Sequence, residues 1–425
     1  MNSNYEFDLD QICEKDHDTC SNEASGEVGV TVRDDIGVAT AARQVPADRE
    51  VMPLRDLVAE IAERRDEFDR LSHVPRDVIE SMKRAGIFRA ATPRRFGGDA
   101  RPPAEFLRMI EAIAVVDGSA AWVAAFGSAN TYLAALPLET QRTIYADGPD
   151  QVYAGGLYPL QPARPVEGGV RATGRWRFAS GCMAADWIGV GISVDTPLLK
   201  SQAQSTTYMA VCPANEVEII ENWDVVGMQG TGSHDTRVQD KFYPLEWICA
   251  RGSVGLVDEP LYRYPSLSYQ AEVHAAVNIG LARAALDTAT EMAGGAKIMP
   301  GAPKLADRAY YRSELARGES KWRSARAFFY ESSERAWDVL LAGNPIKPEL
   351  ENLLRLSATH AAHASAEVVQ QAYRIAGMAA IHKSHRLQRL LRDSLVVTQH
   401  ASLSEGTYEA AGAIFTGVMP GMPYP

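Results

Sequence analysis

Cysteine is scarce and badly spaced for structural use. The five in the chain, Cys13, Cys20, Cys182, Cys212 and Cys249, are odd in number and include no C-x-x-C pair, which argues against a disulfide framework and a cysteine zinc site. Two His-x-x-His pairs occur, His360/His363 and His382/His385, but neither has a carboxylate or third ligand at a recognisable offset, so no metal is expected. Basic residues are outnumbered: 43 Lys and Arg against 54 Asp and Glu leave a net charge of −11. That is the wrong sign for a protein whose main partner is nucleic acid. No uninterrupted apolar run approaches the roughly 18 residues of a membrane-spanning helix, and the first residues lack the basic-then-apolar pattern of a secretory signal. A cytoplasmic protein without a membrane partner is expected. What remains is an ordinary globular composition, 46% hydrophobic and 23% charged, in 425 residues, long enough for more than one packed layer or domain.

Residues 1–45 are rich in Asp, Glu, Ser and Gly without a sustained apolar period, and read as a disordered acidic tail. From Pro53 the period becomes helical (Leu54, Leu57, Val58, Ile61). A second helix follows Pro75 and stops at Gly86, and a third starts near Pro103. The stretch Ala120 to Leu136 is nearly uncharged and must be buried on most sides. Within it Trp122, Phe126 and Asn130 are spaced four apart, which suits either one wall of a substrate pocket or plain core packing. A helical domain over 46–150 follows.

Over 151–265 the pattern turns to short β-rich segments separated by Gly, Pro, Asp and Asn, predicting a compact antiparallel sheet or barrel. In Gly174-Arg175-Trp176-Arg177-Phe178-Ala179-Ser180 a period of two puts Trp176, Phe178 and Ser180 on one side. That set is a platform for a flat ring or a core-facing strand ending in serine. Gly227-Met228-Gln229-Gly230-Thr231-Gly232-Ser233 has the order G-x-x-G-x-G and no P-loop lysine, so it reads as a bend between strands. Residues 266–415 are helical, with an alanine-rich face (Val273, Ala276, Val277, Gly280, Leu281, Ala284) and long helices over Leu315 to Trp337 and Leu350 to Ala379, predicting a four-helix bundle. Residues 416–425 form a tail.

Near the end Leu387, Leu390, Leu391, Ser394, Leu395 and Thr398 make one helical stripe, with Arg389, Arg392 and Asp393 outside it. Arg389 and Arg392, three apart, can face one neighbour together, either an acidic patch or another subunit. His400 follows in an uncharged segment, where a lone imidazole is either a satisfied buried histidine or a chemical group.

The motifs 174–181, 227–235 and Leu387-Gln388-Arg389-Leu390-Leu391-Arg392-Asp393 through Thr398-Gln399-His400, in this order, resemble the acyl-CoA dehydrogenase superfamily. More narrowly the chain is similar, over about 52–415, to the oxygenase components of two-component (group D) flavin-dependent monooxygenases. The resemblance implies a mainly α fold with a central β module: N-terminal helical domain, middle β-barrel and C-terminal four-helix bundle. It implies reduced FMN or FAD from a separate NAD(P)H-dependent flavin reductase, O2, and a flavin hydroperoxide that hydroxylates or N-oxidises an aromatic, polyketide or other secondary-metabolite small molecule. The dehydrogenase branch carries its catalytic glutamate shortly after the Arg-Asp pair. Here that place reads Gln399-His400-Ala401, and Glu405 comes too late, which counts against the alternative of an acyl-CoA dehydrogenase or oxidase. By resemblance His400 and Ser180 are the catalytic candidates, His400 as a base of near-neutral pKa and Ser180 near flavin N5. Trp176, Phe178, Ser180, Gly377 and Met378 are the cofactor-binding candidates, the last two reaching a neighbour's flavin in a homotetramer although the usual double glycine is missing. Trp122, Phe126 and Asn130 line the substrate pocket, where some relatives carry another histidine.

Overall fold

A computed structural model describes residues 51–194, 207–295 and 303–421. The acidic tail, Cys13, Cys20 and residues 422–425 lie outside the described residues.

The chain opens with helices α1 (Leu54–Leu71), α2 (Arg76–Arg84) and α3 (Pro103–Ala114). In α1, Leu57, Ile61 and Phe68 return to one face at helical spacing and are buried. The apolar stretch that follows is not one helix. It divides into α4 (Gly118–Ala125), a 3₁₀ turn (Phe126–Ala129) and α5 (Asn130–Leu133), with α6 (Leu138–Ile144) after it. Asp117 caps α4 by accepting from the Ala120 N–H at 2.7 Å.

Seven strands follow: β1 (Tyr153–Val166), β2 (Gly169–Ala179), β3 (Trp187–Ser193), β4 (Thr207–Pro213), β5 (Glu218–Ile220), β6 (His234–Pro244) and β7 (Ile248–Ala250), in the order β5-β6-β2-β1-β3-β4-β7. The expected all-antiparallel sheet is corrected at one pair, since β1 and β3 run parallel. β2 turns back along β1 and the chain then crosses to β1's other edge. β1 is longer than the short segments expected and runs on through Pro159, Pro162 and Pro165. Prolines donate nothing to a ladder, and the β1/β3 register breaks between Gly156 and Gln161, across Pro159.

The last part comprises α7 (Ser266–Ala293), α8 (Ala309–Leu341), α9 (Pro348–Ala376), α10 (Arg386–Val397) and α11 (Gly406–Phe415). α7 is buried almost all round, as its lack of a polar face requires. A Cβ added at Gly280 would lie 2.5 Å from Ala114 Cβ and 2.5 Å from the Glu111 carbonyl, so α3 and α7 cross in near backbone contact. The N-terminal helices and the bundle consequently share one hydrophobic core, while the sheet has its own, built on Trp176, Ile188, Val190, Tyr208 and Tyr243.

Candidate active site

The three sequence motifs converge through hydrogen bonds at the junction of sheet and helices. Asp393 on α10, expected on the outer face, is buried, and its Oδ1 accepts from the Met228 N–H at 2.6 Å. Burial pushes its carboxyl up to about 7 against the opposing pull of that bond. Met228 has φ 56° and opens the 3₁₀ turn Gln229–Thr231, and its carbonyl accepts from the Thr231 hydroxyl at 2.9 Å. Thr231 Oγ1 and Ser233 Oγ lie 2.7 Å apart, Ser233 Oγ and Ser180 Oγ 2.7 Å apart, and Trp122 Nε1 donates to Ser180 Oγ at 3.1 Å.

That chain has one direction. Indole N–H only donates and a carbonyl only accepts, so hydrogens run from Trp122 to Ser180, Ser233, Thr231 and the Met228 carbonyl. Ser180 thereby spends its donor inward and keeps an acceptor lone pair. The glycine-rich loop, read from sequence as a bend, supports Ser180.

Trp122 is also one side of an aromatic cluster. Its ring stacks on His274 of α7 at 4.1 Å between centroids and 29°, and meets His400 edge-on at 5.5 Å and 70°. The two imidazoles are 4.5 Å apart, and Phe126 meets His274 at 6.0 Å. His400 follows the end of α10 and caps the 3₁₀ turn Ala401–Leu403. Its Nδ1 lies 2.7 Å from Ser402 Oγ and accepts from the Ser402 N–H at 3.4 Å. With Nδ1 accepting, the hydrogen of the neutral ring is assigned to Nε2. Burial pushes the His400 pKa down to about 4, helped by the nearby charges of Arg251 and Arg355. The expected base of near-neutral pKa is therefore corrected to a neutral imidazole that offers an N–H. His274 is held well below its ordinary value by burial and by His400, against the opposing pull of the Gln270 backbone one helical turn away.

Other expected site residues fall elsewhere. Asn130 is turned away by the 3₁₀ turn that breaks the four-residue spacing: it donates to the Phe88 carbonyl at 2.6 Å and to Thr92 Oγ1 at 3.0 Å, and accepts from Tyr145 at 3.4 Å. Trp176 and Phe178 do not share a face. The β2/β6 register shifts between Trp176 and Ala179, and Phe178 has φ 62°, a bulge that reverses the alternation. Trp176 is enclosed in the sheet core and donates to the Gly191 carbonyl at 2.7 Å. Phe178 is 63% exposed, edge-on to Trp223 at 6.1 Å. Gly377 ends α9 with φ 64° and ψ −145°, a conformation essentially restricted to glycine, and leaves Met378 exposed. Arg389 pairs with Asp66 and Asp69 of α1 at 2.7 and 2.8 Å, and Arg392 instead donates to the Gln388 carbonyl. Among the described residues no three potential metal ligands gather.

His274 escaped the sequence reading. The signal was the one that marked His400, a lone imidazole in an uncharged helical face.

Beside this cluster opens a small pocket of about 50 Å³, partly continuous with solvent, walled by Phe126, Tyr132, Tyr153, Leu157 and Met209. Phe126 is common to pocket and cluster.

Comparison with known proteins bears on the family and the fold. Residues 53–146 match the acyl-CoA dehydrogenase N-terminal domain and residues 272–405 the acyl-CoA dehydrogenase C-terminal domain. The chain is 48% identical over 360 residues to an indole-3-acetate monooxygenase of Pseudomonas putida, covering 83% of this chain and 90% of the relative. It is 40% identical to an indole-3-acetate monooxygenase of Acinetobacter baumannii, covering 89% and 97%. The fold matches that of XiaF from Streptomyces sp., solved with FADH2 and glycerol, with a TM-score of 0.80 at 21% identity, covering 88% and 98%.

Proposed function

Because this chain belongs to the acyl-CoA dehydrogenase superfamily and is a reduced-flavin-dependent monooxygenase, the oxygenase component of a two-component system, we propose that it oxygenates an indole-type ring of the indole-3-acetate kind beside Trp122, His274 and His400. The observation that carries the reading is the joining of that cluster to Ser180 through the Trp122 indole N–H. Electrons come from a separate flavin reductase. A bound reduced flavin supplies two electrons and activates O2, one atom of which ends in the product and the other in water.

The residues present fit such a group. Ser180, left with only an acceptor, suits a reduced flavin, whose N5 bears hydrogen, better than an oxidised one, whose N5 accepts. The exposed Phe178 ring offers apolar surface beside it, and Gly377-Met378 of a second copy completes the cofactor site in a homotetramer. His400 holds a proton at Nε2 and, with the Ser402 hydroxyl behind Nδ1, passes one through the ring as the substrate's charge changes. His274 presents a neutral imidazole ring beside His400 and Trp122. Trp122 and Phe126 keep water from the reacting atoms.

Anaerobic titration should give tighter binding of reduced than of oxidised flavin. Admitting air with indole-3-acetate present should then give an oxygenated product from the wild type. His400→Ala should bind flavin normally yet consume O2 with product per flavin lowered at least ~10-fold, the low end for a proton-transfer group being larger still. Wild-type yield from the variant would return His400 to a packing role, and equal affinities for the two flavin states would undo the reading of Ser180.

A further inference from the structure

The pocket beside the cluster has apolar and aromatic walls and a single cation. Arg251 follows β7, is partly buried, and lines the cavity. Its guanidinium reaches only neutral groups at long range: Nη1 is 3.5 Å from Tyr158 Oη and Nη2 3.4 Å from Gln270 Oε1. Among the described residues no carboxylate pairs with it. Most other partly buried arginines near it in burial do have such partners, for example Arg283 with Asp287 and Glu319, and Arg326 with Glu111. A guanidinium kept in an apolar pocket without a counter-ion leaves a fork of donors fitted to a planar two-oxygen anion.

The position of this fork relative to the cluster gives the ligand's shape. Gln270 and His274 are four apart on α7 and so lie on one face, one helical turn apart. Phe126 lines the pocket and touches His274. The cationic pocket is thus joined to the two imidazoles through Phe126 on one wall and through α7 on the other. Resting on the substrate reading of the preceding section, we infer that Arg251, with Gln270 and Tyr158 beside it, is the carboxylate-binding subsite that selects aryl-alkanoate anions over neutral aromatic rings. Arg251 is a specificity-determining residue that meets the carboxylate and not the reacting atoms. The neutral partners Gln270 and Tyr158 hold the guanidinium in place and leave its charge uncompensated until substrate arrives.

The test compares indole-3-acetate with its neutral isostere indole-3-acetamide in the reconstituted system with reduced flavin. Wild type should favour the acetate. In Arg251→Met the acetate-to-amide ratio of kcat/KM should fall about 10- to 100-fold, the worth of a charge-assisted hydrogen bond. The loss should appear mainly in KM for the acetate and exceed any change seen with the amide, with reduced-flavin binding retained. Arg251→Lys should recover part of the ratio. An unchanged ratio in Arg251→Met overturns the assignment, and so does a parallel loss of reduced-flavin binding, which would give Arg251 to the cofactor. Calorimetric titration of wild type and variant with indole-3-acetate, phenylacetate and their amides reads the carboxylate preference without turnover. If wild type oxygenates no indole compound, the substrate reading fails while this titration still decides the subsite, and absence of any carboxylate preference in wild type overturns it.

Discussion

His400 is surrounded by groups that oppose its protonation: the low-polarity enclosure first, then the charges of Arg251 and Arg355, with His274 4.5 Å away. Its folded pKa of about 4 lies below the ordinary 6.5. The fold therefore favours the neutral ring, and the stability this contributes is complete above the unfolded value and lost as pH falls through about 4. Product yield per reduced flavin should accordingly show no inflection near the ordinary histidine value of 6.5, its acid limb lying near 4. A limb near 6.5 in wild type that vanishes in His400→Gln would mean an imidazole in contact with water and sink the buried-neutral account. At this scale the sequence was legible where a residue's own chemistry marked it, as with His400, Ser180 and Trp122, which the fold brings together. It was not legible where backbone detail decides direction. One bulge sends Phe178 outward and Trp176 into the core, and one 3₁₀ turn rotates Asn130 away; neither leaves a mark in a pattern of period two or four.

Among the elements, α3 and α7 bear most on the site, because α7 carries His274 and Gln270 while α3 fixes α7 against the N-terminal helices. Their contact is close at Gly280. Nearby, the wholly buried Glu111 carboxylate of α3 accepts from Arg326 Nε at 2.7 Å and from the Tyr330 hydroxyl at 2.5 Å, both on α8. Gly280→Ala should cost about 1–3 kcal/mol, since the added methyl meets another Cβ and a backbone oxygen, neither of which can rotate aside. A lowered urea midpoint with unchanged slope checks this, and an unchanged midpoint would mean the crossing is looser than described. Helices were legible from apolar period and bounding prolines: α2 begins right after Pro75 and α3 at Pro103. β1 was half hidden, since three prolines in its distal part read as loop, although only Pro159 falls where the ladder shifts.

At the scale of the whole molecule, the alanine-rich face of α7 first suggests self-association, because large apolar patches are rarely left on monomers. The fold consumes that face internally against α3 and the bundle, so it leaves nothing for a second copy. A different surface remains. After the glycine-only turn at Gly377, Met378 is 74% and Ile381 49% exposed, three apart on one 3₁₀ turn and therefore side by side. Two-fold symmetry would let this turn meet a neighbouring copy, and in a homotetramer it would stand next to the neighbour's cofactor site. Flavin binding and assembly would then be linked, each strengthening the other by mass action. The double variant Met378→Asp/Ile381→Asp should lower the assembly mass in light scattering and weaken reduced-flavin binding together, with helix content by circular dichroism retained because both side chains already face water. Dilution of the wild type should trace the same coupled loss. A variant that falls to monomers yet binds reduced flavin as the wild type does would separate the two, and a wild type that is a fully active monomer at assay concentration would remove the shared site altogether.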